Sequence, residues 1–369
     1  MRFTCNLKLL SEAVNNVSLA VSARTNLQAL EGILLDCDGS KLTLTGYNLE
    51  LGIIKSIEVE NGKEGQILLN AKIFGDILRR MPAEVITVDA DDKYLTVIRG
   101  GDAEFTILGS TADEYPDIPT LDDESGFPIG QALLKNMIGQ TLFAVAQNEN
   151  TPVHTGSLFD LQNGVLNIVS VDGYRLALRT EPVAVKEDFH FVVPGRTLSE
   201  VAKLLSEDED AEEVFIKVSR KHIIFEISGY QIVSRLLEGE FLDYRAAIGG
   251  DCKTKVRINT REFAQSLDRA SIIITDRIKS PITARMENDS IHISCMTSLG
   301  KVLDQIPASI DGENVTIGFN NKYMSDALKA TETDEIVIQI NGPFAPMRIL
   351  PTEGSHFTFL VLPVRLKTE

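Results

Sequence analysis

The chain has 369 residues and 40.6 kDa, which suggests two or three domains with ample core and excludes a small disulfide-stapled fold. With 43% hydrophobic and 24% charged residues, neither a disordered nor a fibrous chain is expected. The net charge of −17, from 36 Lys+Arg against 53 Asp+Glu, argues against a nucleic-acid partner held by bulk electrostatics. Any role on DNA therefore needs another principle.

From Phe3 the spacing predicts a short strand entering an amphipathic helix, with Leu7, Leu10, Val14, Val17 and Val21 at steps of three and four. Phe127, Leu134, Ile138 and Ala144 repeat Phe3, Leu10, Val14 and Ala20 after 124 residues, and Val256, Phe263, Leu267 and Ile273 follow after another 129. The chain thus divides into thirds. Each third carries a second strand-to-helix signal, in Ile67 to Leu78, Phe191 to Ala202 and Ile317 to Leu328, where Asn70, Lys72, Asp76 and Leu78 return as Asn320, Lys322, Asp326 and Leu328. Strand-like runs follow each helix, including Leu42 to Gly46, Val165 to Val169, Ile223 to Ile227 and Ile336 to Ile340. The expected fold is α+β, a strand, a helix and several strands repeated six times. Thr111 to Gly126 and Arg245 to Lys255 read as linkers, giving domains at 1–120, 127–245 and 254–369. Glu114-Tyr115 and Asp243-Tyr244 keep the same 129-residue register.

Catalytic chemistry is sparse. No G-x-G-x-x-G, P-loop, H-E-x-x-H or G-x-S-x-G motif is present. Cys5, Cys37, Cys252 and Cys295 stand far apart, and His154, His190, His222, His292 and His356 lack ligand spacing, so no metal or cofactor is expected. The acidic run Glu207 to Asp210 with Glu212 and Glu213 has no Gly-anchored cation loop and reads as a solvated turn. Asp172 to Leu176 reads as a tight Gly turn presenting a surface; a hydrolase site there is the rival reading, without a nucleophile or base to serve it. The absence of an apolar leader and of a run near ~18 apolar residues makes a cytoplasmic protein without membrane attachment the expectation.

The positive charge is unevenly placed. The six expected helices, counted to include Arg24, carry 12 basic and 6 acidic residues, leaving −23 elsewhere. That pattern suits a protein meeting phosphate on one face only. Helices ~10 Å wide packed side by side in a ring leave a bore near ~9 Å with six members and about 28 Å with twelve. Only twelve would admit a duplex roughly 20 Å across, so two chains would be needed.

The opening Met1-Arg-Phe-Thr, Arg24 with Leu27 and Leu30, Val171-Asp-Gly-Tyr-Arg-Leu176, Gly239-Glu-Phe-Leu-Asp-Tyr244, Ile317-Gly-Phe-Asn320 and Leu360-Val-Leu-Pro-Val-Arg-Leu366 resemble the bacterial DNA polymerase III beta subunits, the replicative sliding clamps, over the full length. The resemblance implies a head-to-tail homodimeric ring of three clamp domains per chain, strands outside and helices inside, encircling duplex DNA without sequence preference or catalysis. It implies as partners a clamp loader, the replicative polymerase and other clamp-motif proteins, each inserting a short Gln- and Leu/Phe-containing peptide. By position the pocket would use His154, Val171, Gly173, Leu176, Leu242, Phe344, Pro346, Leu360, Leu362, Pro363, Val364 and Arg365. Arg24, Arg79, Arg80, Lys135, Arg196 and Lys203 would face DNA, and Lys72, Phe105, Ile107, Ile272 and Ile273 would lie at the dimer interface. The chain departs from the family at His154, usually Leu, at Leu242, often Pro, and at Thr151 and Ala246, where some members have Arg; pocket shape and partner preference are open on those grounds.

Overall fold

The computed structural model describes residues 1–22, 25–119, 125–148, 150–250, 252–275 and 280–366. They form two compact units, Met1–Leu133 with Ser199–Leu236, and Leu134–Leu198 with Leu237–Glu369. The expected strand-to-helix entries occur at α1 (Leu7–Val17), α2 (Ala71–Arg80), α3 (Gln131–Thr141), α4 (Gly195–Leu204), α6 (Thr260–Ser271) and α7 (Asn321–Lys329). A short α5 (Tyr244–Ile248) was not foreseen.

Asn is the recurring start signal. The side chains of Asn6, Asn70, Asn259 and Asn320 accept backbone N–H bonds at the first turns of α1, α2, α6 and α7. Each thereby satisfies donors that a helix start leaves open. α1 stops sooner than expected: a 3-10 turn spans Ser18–Ala20, and Ser18 Oγ donates back to the Val14 carbonyl at 2.5 Å. Arg24, assigned to this helix from sequence, lies outside the described residues.

In the first unit a five-stranded antiparallel sheet joins Glu60–Lys63, Arg2–Asn6, Val85–Ala90, Leu95–Gly100 and Ala103–Leu108 in that order. An eight-stranded sheet continues from Ser125–Ile129, Val214–Val218, His222–Ile227 and Tyr230–Arg235 into Leu51–Glu58, Lys41–Tyr47, Gly32–Cys37 and Gly65–Asn70. In the second unit Phe189–Pro194, Gly156–Gln162, Val165–Val171 and Arg175–Pro182 continue into Phe357–Val361, Met347–Pro351, Glu335–Ile340, Thr254–Asn259 and Ser309–Gly312. A four-stranded sheet orders Gly300–Pro307, Ser290–Thr297, Ile282–Glu287 and Val315–Phe319.

Each large sheet therefore joins half of one third to half of the next, through pairings such as Tyr230 with Lys55 and Arg175 with Val361. Strand edges free at the end of a half-sheet are satisfied by the neighbouring third. This is why the compact units cut through the middle third, which the sequence treats as one block. Alternation in strands such as Lys41–Tyr47 sends Leu42 and Leu44 into the core, where both are fully buried.

The two linkers need correction. Tyr115 donates its hydroxyl to the Thr45 carbonyl at 3.1 Å, so the first half of Thr111 to Gly126 is packed down, and a strand already begins at Ser125. In the second, α5 opens the segment, and Arg348 donates to the carbonyls of Ile248 and Gly250 at 2.9 Å each. Both connectors are anchored because a Tyr and nearby backbone carbonyls find buried or charged partners.

Candidate functional site

The expected pocket residues lie within the second unit. Val171, Leu176 and Leu360 are buried in one apolar cluster with Val153, Leu158, Val169, Leu178, Val192, Phe241 and Tyr244. Strand pairing brings them together, since Leu176 stands opposite both Val171 and Leu360. Removal of this much apolar surface from water holds these strands together.

The turn above it is built by Asp172. Its Oδ1 accepts from the backbone N–H groups of Tyr174 at 2.9 Å and Arg175 at 3.0 Å. Gly173, at φ +88°, supplies the left-handed residue the turn requires. Asp172 Oδ2 accepts from Arg175 Nε at 3.0 Å, which leaves the carboxylate engaged on both oxygens. The segment forms the tight Gly turn expected from sequence.

The other expected pocket residues differ in exposure. Leu242, Leu362 and Val364 are exposed, Pro346 and Pro363 are half-buried, and Phe344 is 78% exposed. Leu362 N–H donates to the Tyr174 carbonyl at 2.9 Å, tying the end of the chain to the turn. Arg365 is exposed on the same segment. His154 belongs to a 3-10 turn, Pro152–Thr155, and meets Phe241 edge-on with ring centroids 5.4 Å apart. Burial lowers its imidazole below the usual His value.

A cluster beside the Asp172 turn was missed by sequence reasoning. Tyr174 stacks on Tyr323, centroids 6.2 Å apart, while the Arg175 guanidinium lies 4.6 Å from the Tyr323 ring centre and 5.4 Å from that of Phe143. Arg175 Nη1 also donates to Asp326 Oδ2 at 2.6 Å, and Lys322 Nζ donates to the same oxygen at 2.9 Å. Tyr174, Arg175, Lys322 and Tyr323 line a cleft of about 860 Å³ with Asp172, Asn320 and Val364, and Val364 is the expected pocket residue found there. The motifs around Asp172 and Asn320 were visible, but their meeting across 151 residues was not.

The second connector is pinned by a buried carboxylate. Asp160 is fully buried and accepts from the Tyr244 hydroxyl at 2.5 Å and from Arg245 Nη2 at 2.7 Å. Burial and then the bond to Asp160 raise the Tyr244 phenol, so it remains a donor.

The helix-borne cations divide by partner. Arg79 and Arg80, in the last turn of α2, both contact Asp76, and Arg79 Nη1 donates to Asn15 at 3.1 Å. Their position also complements the helix dipole. Lys203 pairs with Glu200 at 2.7 Å on α4, where Arg196 is exposed; Lys135 is half-buried on α3. Lys72 is exposed on α2.

Of the expected interface residues, Phe105 is exposed and Ile107 half-buried on Ala103–Leu108, a free sheet edge where Leu108 is 74% exposed. Ile272 is 77% exposed at the end of α6, whereas Ile273 packs on the core of the last third. Neither Ile lies on an edge strand. The free edge there is Gly300–Pro307, with Leu303 69% exposed, which sequence reasoning did not single out.

Among the described residues no group of three His, Cys, Asp or Glu side chains is placed to hold a metal ion, and no helix is long and apolar enough to cross a membrane. Cys5 is buried, which pushes its thiol up to about 12.

Comparison with known proteins covers nearly the whole chain. Profiles of the DNA polymerase III beta subunit match as its N-terminal domain at residues 1–119, its central domain at 128–243 and its C-terminal domain at 245–365. The beta sliding clamp of Bacillus subtilis is 35% identical over 378 residues, covering 99% of this chain and all of the relative. That of Halalkalibacterium halodurans is 33% identical with the same coverage. The crystal structure of the Bacillus subtilis DNA polymerase sliding clamp superposes with a TM-score of 0.95 at 33% identity, covering 100% of both chains. The DNA polymerase beta subunit of Streptococcus pyogenes gives 0.93 at 27% identity, covering 99% of this chain and 100% of that one.

Proposed function

Because the chain belongs to the DNA polymerase III beta subunit family, the beta sliding clamps, we propose that two copies close head to tail around duplex DNA and tether a replicative polymerase to it. The ring acts as a non-catalytic processivity factor in the bacterial cytoplasm. Its three domains follow the thirds of the sequence, 1–120, 127–245 and 254–369.

The observation that carries this reading is the sixfold strand-helix unit together with two sheet-edge strands that carry exposed apolar side chains, Ala103–Leu108 and Gly300–Pro307. Exposed edges bearing Phe105, Leu108 and Leu303 invite pairing with a second chain, and a head-to-tail contact repeated twice closes. Ile272 adds apolar surface at the same end of the third domain, and Lys72 and Ile107 belong to the first domain's contribution.

Topological enclosure reconciles DNA with a net charge of −17. A closed ring needs no tight phosphate grip, and Arg24, Arg79, Arg80, Lys135, Arg196 and Lys203 supply weak, sequence-independent contacts. Loader, polymerase and other clamp-motif partners enter through the apolar floor at Val171, Leu176 and Leu360, with Leu242, Leu362 and Phe344 on the rim. Sedimentation equilibrium at micromolar concentration tests the assembly: twice the 40.6 kDa chain mass is expected, and a monomer contradicts it.

A further inference from the structure

The motif Ile317-Gly-Phe-Asn320 has a use beyond capping α7. Each third of the chain returns an exit segment to the edge of the strand that precedes its second helix. Leu68 and Ser110 exchange backbone bonds at 3.1 and 3.0 Å, Leu237 N–H donates to the Val192 carbonyl at 3.0 Å, and Val364 N–H donates to the Gly318 carbonyl at 2.7 Å. Leu68, Val192 and Gly318 occupy the same place in the repeat. Only the last carries no side chain.

The space at Gly318 explains the difference. A Cβ there would stand 2.7 Å from the Val364 carbonyl oxygen and 2.6 Å from Leu366 Cδ2. The first contact is with backbone, which cannot swing aside as a side chain does. The exit segment of the last third therefore sits closer than a side chain would permit.

Val364 of that segment also lines the cleft of Tyr174 and Tyr323. Between its two anchors, Leu362 N–H on the Tyr174 carbonyl and Val364 N–H on the Gly318 carbonyl, lie Leu362, Pro363 and Val364. Phe319 pairs with Pro363, and the next residue, Asn320, lines the cleft with Val364 and Tyr174. We propose that Gly318 is a positioning residue of the peptide pocket: by admitting Val364 and Leu366 against the strand edge it fixes where Leu362 and Val364 present their side chains to a partner peptide. The inference rests on the pocket reading above.

The test compares Gly318→Ala with Gly139→Ala, a site with open space around it. A fluorescent synthetic peptide carrying Gln followed by Leu and Phe anchors is titrated into the full chain, and amide exchange at Val364 is followed without peptide. Gly318→Ala should bind at least tenfold more weakly and exchange Val364 faster, with the oligomer mass unchanged, while Gly139→Ala matches wild type. Unchanged peptide affinity overturns the proposal, whatever happens to thermal stability. Should Gly318→Ala fail to fold, Leu366→Ala removes the strap's side chain from the same contact without adding atoms. It should speed exchange and weaken the peptide severalfold, and wild-type affinity there overturns the proposal equally. A wild-type chain that does not bind the peptide, with Val364 protected, overturns the pocket reading and this inference with it.

Discussion

Replacing Arg175 with Met removes the cation that joins the pocket turn to α7. Its side chain is 6% exposed and its guanidinium meets Asp172 at 3.0 Å and Asp326 at 2.6 Å. Breaking a buried pair by removing one partner costs about 3–5 kcal/mol, because the remaining charge is left uncompensated. Here Asp172 keeps two backbone donors and Asp326 keeps Lys322 at 2.9 Å. The loss should therefore fall near the lower end, about 3 kcal/mol. Guanidinium titration followed by tyrosine circular dichroism, at fixed protein concentration, measures it as a lower midpoint with an unchanged slope.

The same substitution has a pH signature. Burial raises the Asp326 carboxyl, but hydrogen bonds from Lys322 and Arg175 outweigh it and hold the group below its ordinary value. A carboxyl depressed in the fold contributes stability above the unfolded value near ~3.9 and loses it as pH falls through the lower folded value. The gap between wild type and Arg175→Met should thus narrow from pH 7 to pH 3. A loss under about 1 kcal/mol at pH 7, or a gap independent of pH, refutes the claim that this cation couples the two elements.

Peptide affinity should fall as pH drops below about 6.5, because the His154 imidazole is already lowered by burial and an inserted apolar group favours the neutral form further. Calorimetry should show His154→Leu flattening this dependence, and identical profiles remove His154 from the pocket. Ile272→Ala combined with Leu303→Lys should release monomers in sedimentation at micromolar concentration, since both side chains are exposed and contribute little to the fold; a stable dimer contradicts the edge-pairing interface. Arg80→Gln should weaken DNA association modestly and lower the salt slope by roughly 1 without altering sequence preference, and an unchanged slope removes Arg80 from the DNA face.

The six long helices were legible because strand, cap and apolar spacing recur in register, and Asn70 and Asn320 perform the same capping task. The pairing of Glu114-Tyr115 with Asp243-Tyr244 was also legible, but its meaning was not. Tyr115 and Tyr244 each lock a connector onto the preceding domain, through Thr45 and Asp160, partners distant in sequence. Edge status was hidden for the same reason: nothing local distinguishes Gly300–Pro307 from Ser290–Thr297, and only sheet order leaves the former unpaired. Half the cleft was overlooked because Tyr174 and Tyr323 meet only when the Arg175–Pro182 strand pairs with the chain's last strand and α7 packs nearby. Helix charge counts, finally, left out partners beyond the helix: Arg79, Lys203 and Lys322 pair with carboxylates of their own helices, whereas Arg269 pairs with Asp304 on the Gly300–Pro307 strand.

Retention on circular against linear DNA tests the topological tether most directly. The protein, loaded onto nicked circular duplex by a bacterial clamp loader, is passed through a sizing column at high salt, and the DNA is then cut once. Enclosure predicts that the protein stays with the circle through salt that screens phosphate contacts and leaves once the circle is linear. Equal retention on both forms, or loss from the circle at high salt, would contradict it.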